Sequence, residues 1–427
     1  KAVYADLNAA WKMARSLGYR VIASTLPSRA DINNYQGRQK KAQTLNRLIL
    51  SDRSDYSRLI RADILLPNFN NLQLFSVDGI NLSKSGNALL ASYPMHAASS
   101  SRRFDFTIDK RRVQCGFHKF AYLRPYLAPY SPQGDYLSIG TRFDPKNWHV
   151  PFDKQGLPLL ASGKSYSPIA LTQFALIYYQ RMQAHVPGAK ETFWRAVEKI
   201  VSLLGPDGAL SYPFPFTYYL NGKTLQPGWH SPIAQGQTLS VLARAYYLSH
   251  DERYAKAGQR ALAFLLRPRT EGGLRSDLRY LPFGNKRLVW FEEYYPDPKH
   301  DPPAYTLNGF MTTMLGLYDW AHLAPAQDGA AQASDYFKQA VKSLQIVLPH
   351  YDSGFFSIYD LGYITYPGTP PRYGLDYHAY HVTLLNALNS VVSRPLFRAV
   401  IKRWQRYAEE ARATNCSAAQ RTGRGSL

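Results

Sequence analysis

An α/α toroid built from about four helix hairpins, preceded by a smaller α/β segment, is the fold class this sequence predicts. Apolar residues fall at helical spacing over eight segments, 168–183, 190–204, 232–248, 252–266, 307–322, 331–347, 378–391 and 395–411. These sort into four close pairs joined by short turns, Ser249-His250-Asp251 being one, while long loops lead into the first member of each pair. The first members begin at 168, 232, 307 and 378, so one hairpin recurs at broadly similar intervals, as in a ring of helices inside a second ring. An irregular helical bundle is the plainer architecture the same pattern allows.

Composition limits the function. The 427-residue chain is 45% hydrophobic, which excludes wholesale disorder. Lys and Arg total 51 against 30 Asp and Glu, a net charge of +21 that favours a polyanionic partner. Nucleic acid, acidic polysaccharide and an anionic membrane surface all satisfy that charge. The 14% aromatic content, with 32 Tyr, suits stacking on sugars or unpaired bases better than duplex binding. The basic stretch Lys402 to Arg424 has no accompanying aromatic stripe, so it reads as a solvated helix face and no nucleic-acid partner is expected. No run of 18 apolar residues occurs, so no transmembrane segment is expected.

The sequence starts Lys1-Ala2-Val3-Tyr4, with neither an initiator Met nor an apolar signal region, and is expected to be truncated or processed. The two cysteines, Cys115 and Cys416, lie far apart without ligand spacing, so neither a disulfide nor a zinc site is expected. These features lean towards a bacterial cytoplasm, or the Golgi lumen for a truncated eukaryotic chain.

Four regions follow in chain order. In 1–100, Trp11 to Arg15 reads as a helix end with Gly18 as its cap, Tyr19 to Ala23 as a buried strand, 40–50 as helical, and Ile64-Leu65-Leu66 as apolar chain before Pro67. That alternation suggests βαβ units. The stretch Asp78 to Asn87, followed by a short helix Ala88 to Ala91, resembles the last block of SGNH-type esterases. Asn81 stands where that family has a general-base His, so an inactive partial domain is expected. Residues 101–160 read as a linker with short strands, 161–412 as the toroid and 413–427 as a basic flexible tail.

Unusual residues gather where the first helix of each pair begins. Tyr166 and Gln173 attend the first; Gly228-Trp229-His230-Ser231-Pro232 and Gln235-Gly236-Gln237 attend the second. Asn308-Gly309, preceded by Trp290 to Pro296, attends the third, and Asp376-Tyr377-His378-Ala379-Tyr380-His381 opens the fourth. If these are parallel inner helices, their free N–H groups converge on one rim, a setting suited to a carboxylate ligand. Glu292-Glu293, flanked by Trp290, Phe291 and Tyr294, is expected to be buried, and His250 and His300 exposed. His378 and His381 lack a third ligand at convincing spacing, so neither metal nor cofactor is expected.

These strings resemble the heparosan/heparan D-glucuronyl C5-epimerase family. The similarity lies in Pro227 to Tyr246, Trp290 to Tyr294, Thr306 to Phe310 with Leu315 to Asp319, Ser357 to Leu361, Asp376-Tyr377-His378 with His381, and Phe397 with Lys402-Arg403-Trp404. The resemblance implies inversion at C5 of a glucuronate within an acidic polysaccharide. It places Tyr294, Tyr359 and Tyr377 in the acid/base set with Glu293 adjacent: Tyr294 on one face of the sugar, Tyr377 on the other, Tyr359 polarising or relaying. Asn308, His378, Tyr166 and the Thr217, Tyr218, Tyr219 segment would contact the sugar, with Gln173, Trp229, Gln235, Asp376 and His381 beside them. A tyrosine acts as a base only where its surroundings lower a pKa of about 10. The resemblance also implies a homodimer, and no calcium site, since 183–213 leaves no room for the β-domain that carries one in vertebrate-type members.

Two departures matter. Gly362 and the Gly374-Leu375 pair stand where the family has arginines, leaving Arg372 as the substitute for a carboxylate-binding cation. Without it, weak activity or another uronate would follow. A uronate polysaccharide lyase, which shares the proton abstraction, and an inactive acidic-polysaccharide-binding protein are the alternatives.

Overall fold

The computed structural model describes residues 108–417, save 161, 282, 283, 295, 296, 298 and 367, together with 11, 12, 45, 48 and two short strands nearer the start. Those strands, β1 (Ile22–Ser24) and β2 (Arg58–Ile60), pair in parallel with Ile22 opposite Arg58. The SGNH-like block at 78–91, most of the α/β segment and the tail from 418 lie outside the described residues.

The segment expected as a strand-bearing linker forms helices α1 (Lys110–Phe117) and α2 (Ile139–Arg142). Four hairpins follow: α3 (Pro168–Gln183) with α4 (Ala189–Leu203), α5 (Pro232–Ser249) with α6 (Glu252–Leu266), and α7 (Leu307–Leu323) with α8 (Ala330–Val347). After the short α9 (Gly362–Thr365), α10 (His378–Val392) and α11 (Pro395–Ala413) complete the set. Each hairpin helix ends within two residues of the bounds its apolar spacing predicts. Three two-stranded ribbons are described; β3 (Phe216–Thr217) with β4 (Thr224–Leu225) and β5 (Arg275–Asp277) with β6 (Val289–Phe291) decorate the loops.

The inner helices are α3, α5, α7 and α10, each packed against the next, with α4, α6, α8 and α11 as their outer partners. The inner members are buried nearly all round, whereas the outer ones bury a single stripe, which is why only the outer set reads as amphipathic. Proline opens α3, α5 and α11, where its missing N–H costs nothing.

The tightest inner crossing joins α5 and α7. A Cβ on Gly236 would fall 2.8 Å from the Thr313 Cα, and one on Gly316 would fall 2.1 Å from the Gly236 carbonyl oxygen. Thr313 Oγ1 donates to the Pro232 carbonyl, Gly236 meets Gly316 and Arg244 meets Asp319, so the two helices advance in the same direction. The Arg244–Asp319 pair is wholly buried, with Nη1 to Oδ2 at 2.6 Å; the Tyr130 hydroxyl donates to both carboxylate oxygens and accepts from Arg244 Nη2.

Residues 121–142 occupy the space between the last and first hairpins. The Tyr126 and Tyr130 amides donate to Thr383 Oγ1 and Ser390 Oγ on α10, while the Tyr179 hydroxyl on α3 donates to the Gln133 carbonyl. The chain ahead of the toroid thus closes it. At the other end of this segment, Cys115 and Cys416 form a disulfide, correcting the expected absence of one. They lie 301 residues apart, so local spacing carries no sign of a bond that exists because α1 packs on the end of α11. A disulfide fits an oxidising compartment, so the cysteines no longer argue for the cytoplasm. Among the described residues no helix is long and apolar enough to cross a membrane.

Asp319→Ala leaves a buried guanidinium without its counter-charge and should lower unfolding stability by about 3–5 kcal/mol, measured by urea denaturation. Replacing both cysteines by Ala should cost about 2–4 kcal/mol, and reductant should then have no further effect on the unfolding midpoint.

Candidate active site

A cleft of about 490 Å³ opens where the loops before α7 and α10 meet the turn after α1. Tyr294, Tyr359 and Tyr377 all line it, with Arg372, Tyr219 and Phe216. Main-chain bonds place these residues. The Leu307 amide at the start of α7 donates to the Tyr359 carbonyl, and the Tyr359 amide donates to the Arg372 carbonyl. Tyr377 is the residue on which α10 begins.

Aromatic packing orients the phenols. The rings of Tyr359 and Tyr377 meet edge to face at 5.2 Å, and Tyr294 stacks on Phe216 at 4.8 Å. Behind Tyr294, Trp229 stacks on Tyr212 at 4.0 Å and donates its Nε1–H to the Phe214 carbonyl. Arg372 lies over the Tyr219 ring at 3.9 Å and 5.4 Å from the Tyr359 ring, while the Tyr219 hydroxyl donates to Asp360 Oδ2 at 2.6 Å. The cation is thereby held at the cleft by ring faces.

Glu293 is 5% exposed. Burial pushes its carboxyl up to about 7, and interaction with the Tyr294 hydroxyl pulls it part of the way back. Its Oε2 has no hydrogen-bond partner among the described residues, and a Cβ on Gly309 would fall 2.6 Å from that atom, so the glycine in the first turn of α7 makes the space for the carboxylate. Glu292 is buried too and pushed up to about 8, but its Oε2 accepts from the Tyr305 amide and from Trp290 Nε1. It thereby holds Tyr305 in a left-handed conformation, φ 59°, two residues before α7. The three cleft tyrosines shift opposite to the direction a phenolate base requires. Burial raises all of them, reinforced by the Glu293 charge, so each phenol rests protonated.

The other expected site residues separate. Asp376 lines the cleft, and its carbonyl accepts from Arg142 Nη2. Asn308 is buried beside Gly309 with Oδ1 unpartnered, and Tyr218 is buried behind Tyr294 with ring centroids 6.2 Å apart. Thr217 is exposed on β3. Asn308, Tyr218, Thr217, Trp229 and Glu293 are not among the residues that line the cleft, and neither are five others. Gln235 has its amide spent on the Gly208 and Ala261 carbonyls and the Leu210 amide. Tyr166 donates to Asp153 at 2.6 Å under Lys199, and Gln173 sits half-buried on α3, so the first helix start does not join the others. His378 and His381 are fully buried and joined through Ser357 Oγ, and His378 Nε2 donates to the Trp404 carbonyl. Burial pushes the His378 pKa down to about 4 and that of His381 well down, so both rest neutral.

Phe216, Lys119 and Phe120 also line the cleft and carry no sequence signal. Phe216 sits one residue ahead of the expected Thr217 segment, but the other two come from the segment expected as linker. At the departures from the family pattern, a Cβ on Gly374 would lie 3.0 Å from Tyr359 and 3.1 Å from Tyr377, and one on Gly362 2.9 Å from Asp360. A side chain at 374 would wedge between two cleft phenols.

This is a helical toroid whose loops form one tyrosine-lined cleft with a buried carboxyl and a cation. Residues 206–406 match the family described as D-glucuronyl C5-epimerase C-terminus. A D-glucuronyl C5-epimerase of Caenorhabditis elegans is 32% identical over 242 residues, 55% of this chain and 37% of that protein. An uncharacterized protein of Methanocaldococcus jannaschii is 34% identical over 149 residues, 35% of this chain and 44% of its own length. The chain spans less than half the length of these curated relatives. A solved polysaccharide lyase aligns with a TM-score of 0.36 and 12% identity over 76% of this chain and 84% of its own, too loosely to bear on fold or function.

A carboxyl raised by burial makes folding favour its protonated form. Stability from Glu293 is therefore full below about pH 4.5 and is lost as pH rises through about 7. Glu293→Gln should unfold at the same urea concentration as the parent near pH 4 and be more stable at pH 8, by on the order of 2–3 kcal/mol.

Proposed function

We propose that this chain inverts C5 of a uronate within an acidic, heparosan-type polysaccharide, removing a proton from one face of the sugar and returning one to the other. The observation that carries this is that Tyr294, with the buried Glu293 against it, shares one cleft with Tyr359, Tyr377 and Arg372. The domain match over 206–406 and the printed name of the nematode relative support the same reaction.

The C5–H bond of a uronate is weakly acidic because its electron pair can spread into the neighbouring carboxylate as an enediolate. Arg372 at the cleft neutralises that charge as it grows. The Tyr294 oxygen takes the C5 proton while its own proton passes to Glu293, whose raised pKa makes it a better acceptor than a surface carboxylate. A phenolate is therefore not required for the abstraction, which accords with the protonated resting phenols. Tyr377 then gives its proton to C5 from the opposite face, Tyr359 donates a hydrogen bond to the phenolate left behind, and exchange with solvent removes the proton from Glu293 and restores that of Tyr377. The C4–O bond stays intact, so the product is an epimer.

Incubation with unsulfated heparosan in D2O should place deuterium at C5, read by NMR. Tyr377→Phe and Glu293→Gln should each slow uptake by about 10²–10⁴-fold with the fold retained. Absence of uptake by the folded parent on any glucuronan overturns the proposal, and an unsaturated uronate product would replace it with a lyase.

A further inference from the structure

Beside the cleft lies a second hollow, of about 350 Å³, that the proposed chemistry leaves unused. Neighbouring residues of the same two stretches of chain line them. On one side a single turn of chain runs from Lys119 and Phe120 in the cleft to Tyr122, Arg124 and Tyr126 in the hollow. On the other, Asp376 and Tyr377 line the cleft and Tyr380 and Thr383, the next turns of α10, line the hollow. Arg142 stands at the junction. Its Nη2 donates to the Asp376 carbonyl, its guanidinium lies 5.9 Å from the Tyr377 ring and 5.1 Å from the Tyr380 ring, and its buried Nε–H has no partner among the described residues.

We infer that this hollow binds a neighbouring sugar of the same acidic chain whose uronate occupies the cleft, with Tyr122 as a stacking face and Arg124 and Arg142 as contacts for its charge. The inference rests on the function proposed above and adds the direction in which the polymer leaves the site. A residue reacting inside a linear polymer must have its neighbours carried away from the cleft, and the hollow lies along the same two stretches of chain that line the cleft. Exposed rings stack on the apolar faces of pyranoses, and guanidinium groups form charge-assisted hydrogen bonds with carboxylates. Tyr122 is 74% exposed, a large ring left facing solvent at the edge of a hollow. The wall residues 122–142 precede residue 206, so the closing segment builds most of this subsite, and only Tyr380 and Thr383 of its lining come from the epimerase-like stretch.

The test is equilibrium binding of unsulfated heparosan disaccharide and octasaccharide, followed by NMR titration, to the parent and to Tyr122→Ala/Arg124→Glu. Both replaced side chains are exposed, and an unchanged disaccharide affinity reports that the variant is folded. The parent should bind the octasaccharide at least about tenfold more tightly than the disaccharide, and the variant should lose most of that gain. A carboxyl-reduced octasaccharide, which keeps the rings without the charges, should lose it too. No gain with length in the parent, or a gain that survives in the variant or with the reduced chain, overturns the subsite. Deuterium exchange separates the two proposals: a length-dependent gain without exchange leaves the subsite and removes the epimerase, and exchange without a gain does the reverse.

Discussion

The site depends on how closely α5 and α7 approach each other. Gly236 and Gly316 bring two backbones together where any Cβ would collide, and Thr313 ties the crossing to the first turn of α5. This parallel contact sets the position of the start of α7, where Gly309 makes room for the Glu293 carboxylate and the Leu307 amide holds the loop that carries Tyr359. Further along both helices, the buried Arg244–Asp319 pair and the Tyr130 hydroxyl link the crossing to the closing segment. An ion pair so far from water is costly to desolvate; here the Asp319 carboxylate, the Ser240 carbonyl and the Tyr130 hydroxyl meet the guanidinium's two terminal nitrogens, which favours one register of the two helices.

Burial also decides the electrostatics of the cleft. Tyrosine would be a poor base in water and is a poorer one here, since the same aromatic packing that orients Tyr294, Tyr359 and Tyr377 excludes the solvent their phenolates would need. The identical cause acts in the useful direction on Glu293, whose basicity rises towards neutrality. In the proposed reaction a carboxylate coupled to a phenol answers both facts: the phenol reaches the carbon and the carboxylate takes up the proton. Arg372, held over the Tyr219 ring, supplies positive charge where the family pattern has arginines at positions that are glycine in this chain.

Much of the site was legible because its residues lie in short strings at helix starts. Tyr294, Tyr359, Tyr377, Arg372 and Asp376 were all named from sequence and share the cleft. Gln235, His378 and His381 stand in the same strings yet turn into the core, where their polar atoms bond backbone and side chains of neighbouring elements. A motif records that a residue is constrained, and constraint by packing looks the same in sequence as constraint by chemistry. Lys119, Phe120 and Arg142 went unnoticed for the opposite reason: they sit in chain with no helical period, and reach the cleft and the hollow beside it only through contacts with elements more than 200 residues away.

The eight hairpin helices, their pairing and their order are properties of local spacing, and the sequence alone determined them, because a 3.6-residue period is written within each segment. Tertiary structure alone decided the rest: the Cys115–Cys416 bond, the closure of the ring by residues 121–142, and the upward shift of Glu293 and of the three cleft tyrosines. Each of these depends on which distant surfaces exclude water from one another, and no stretch of chain contains that information by itself.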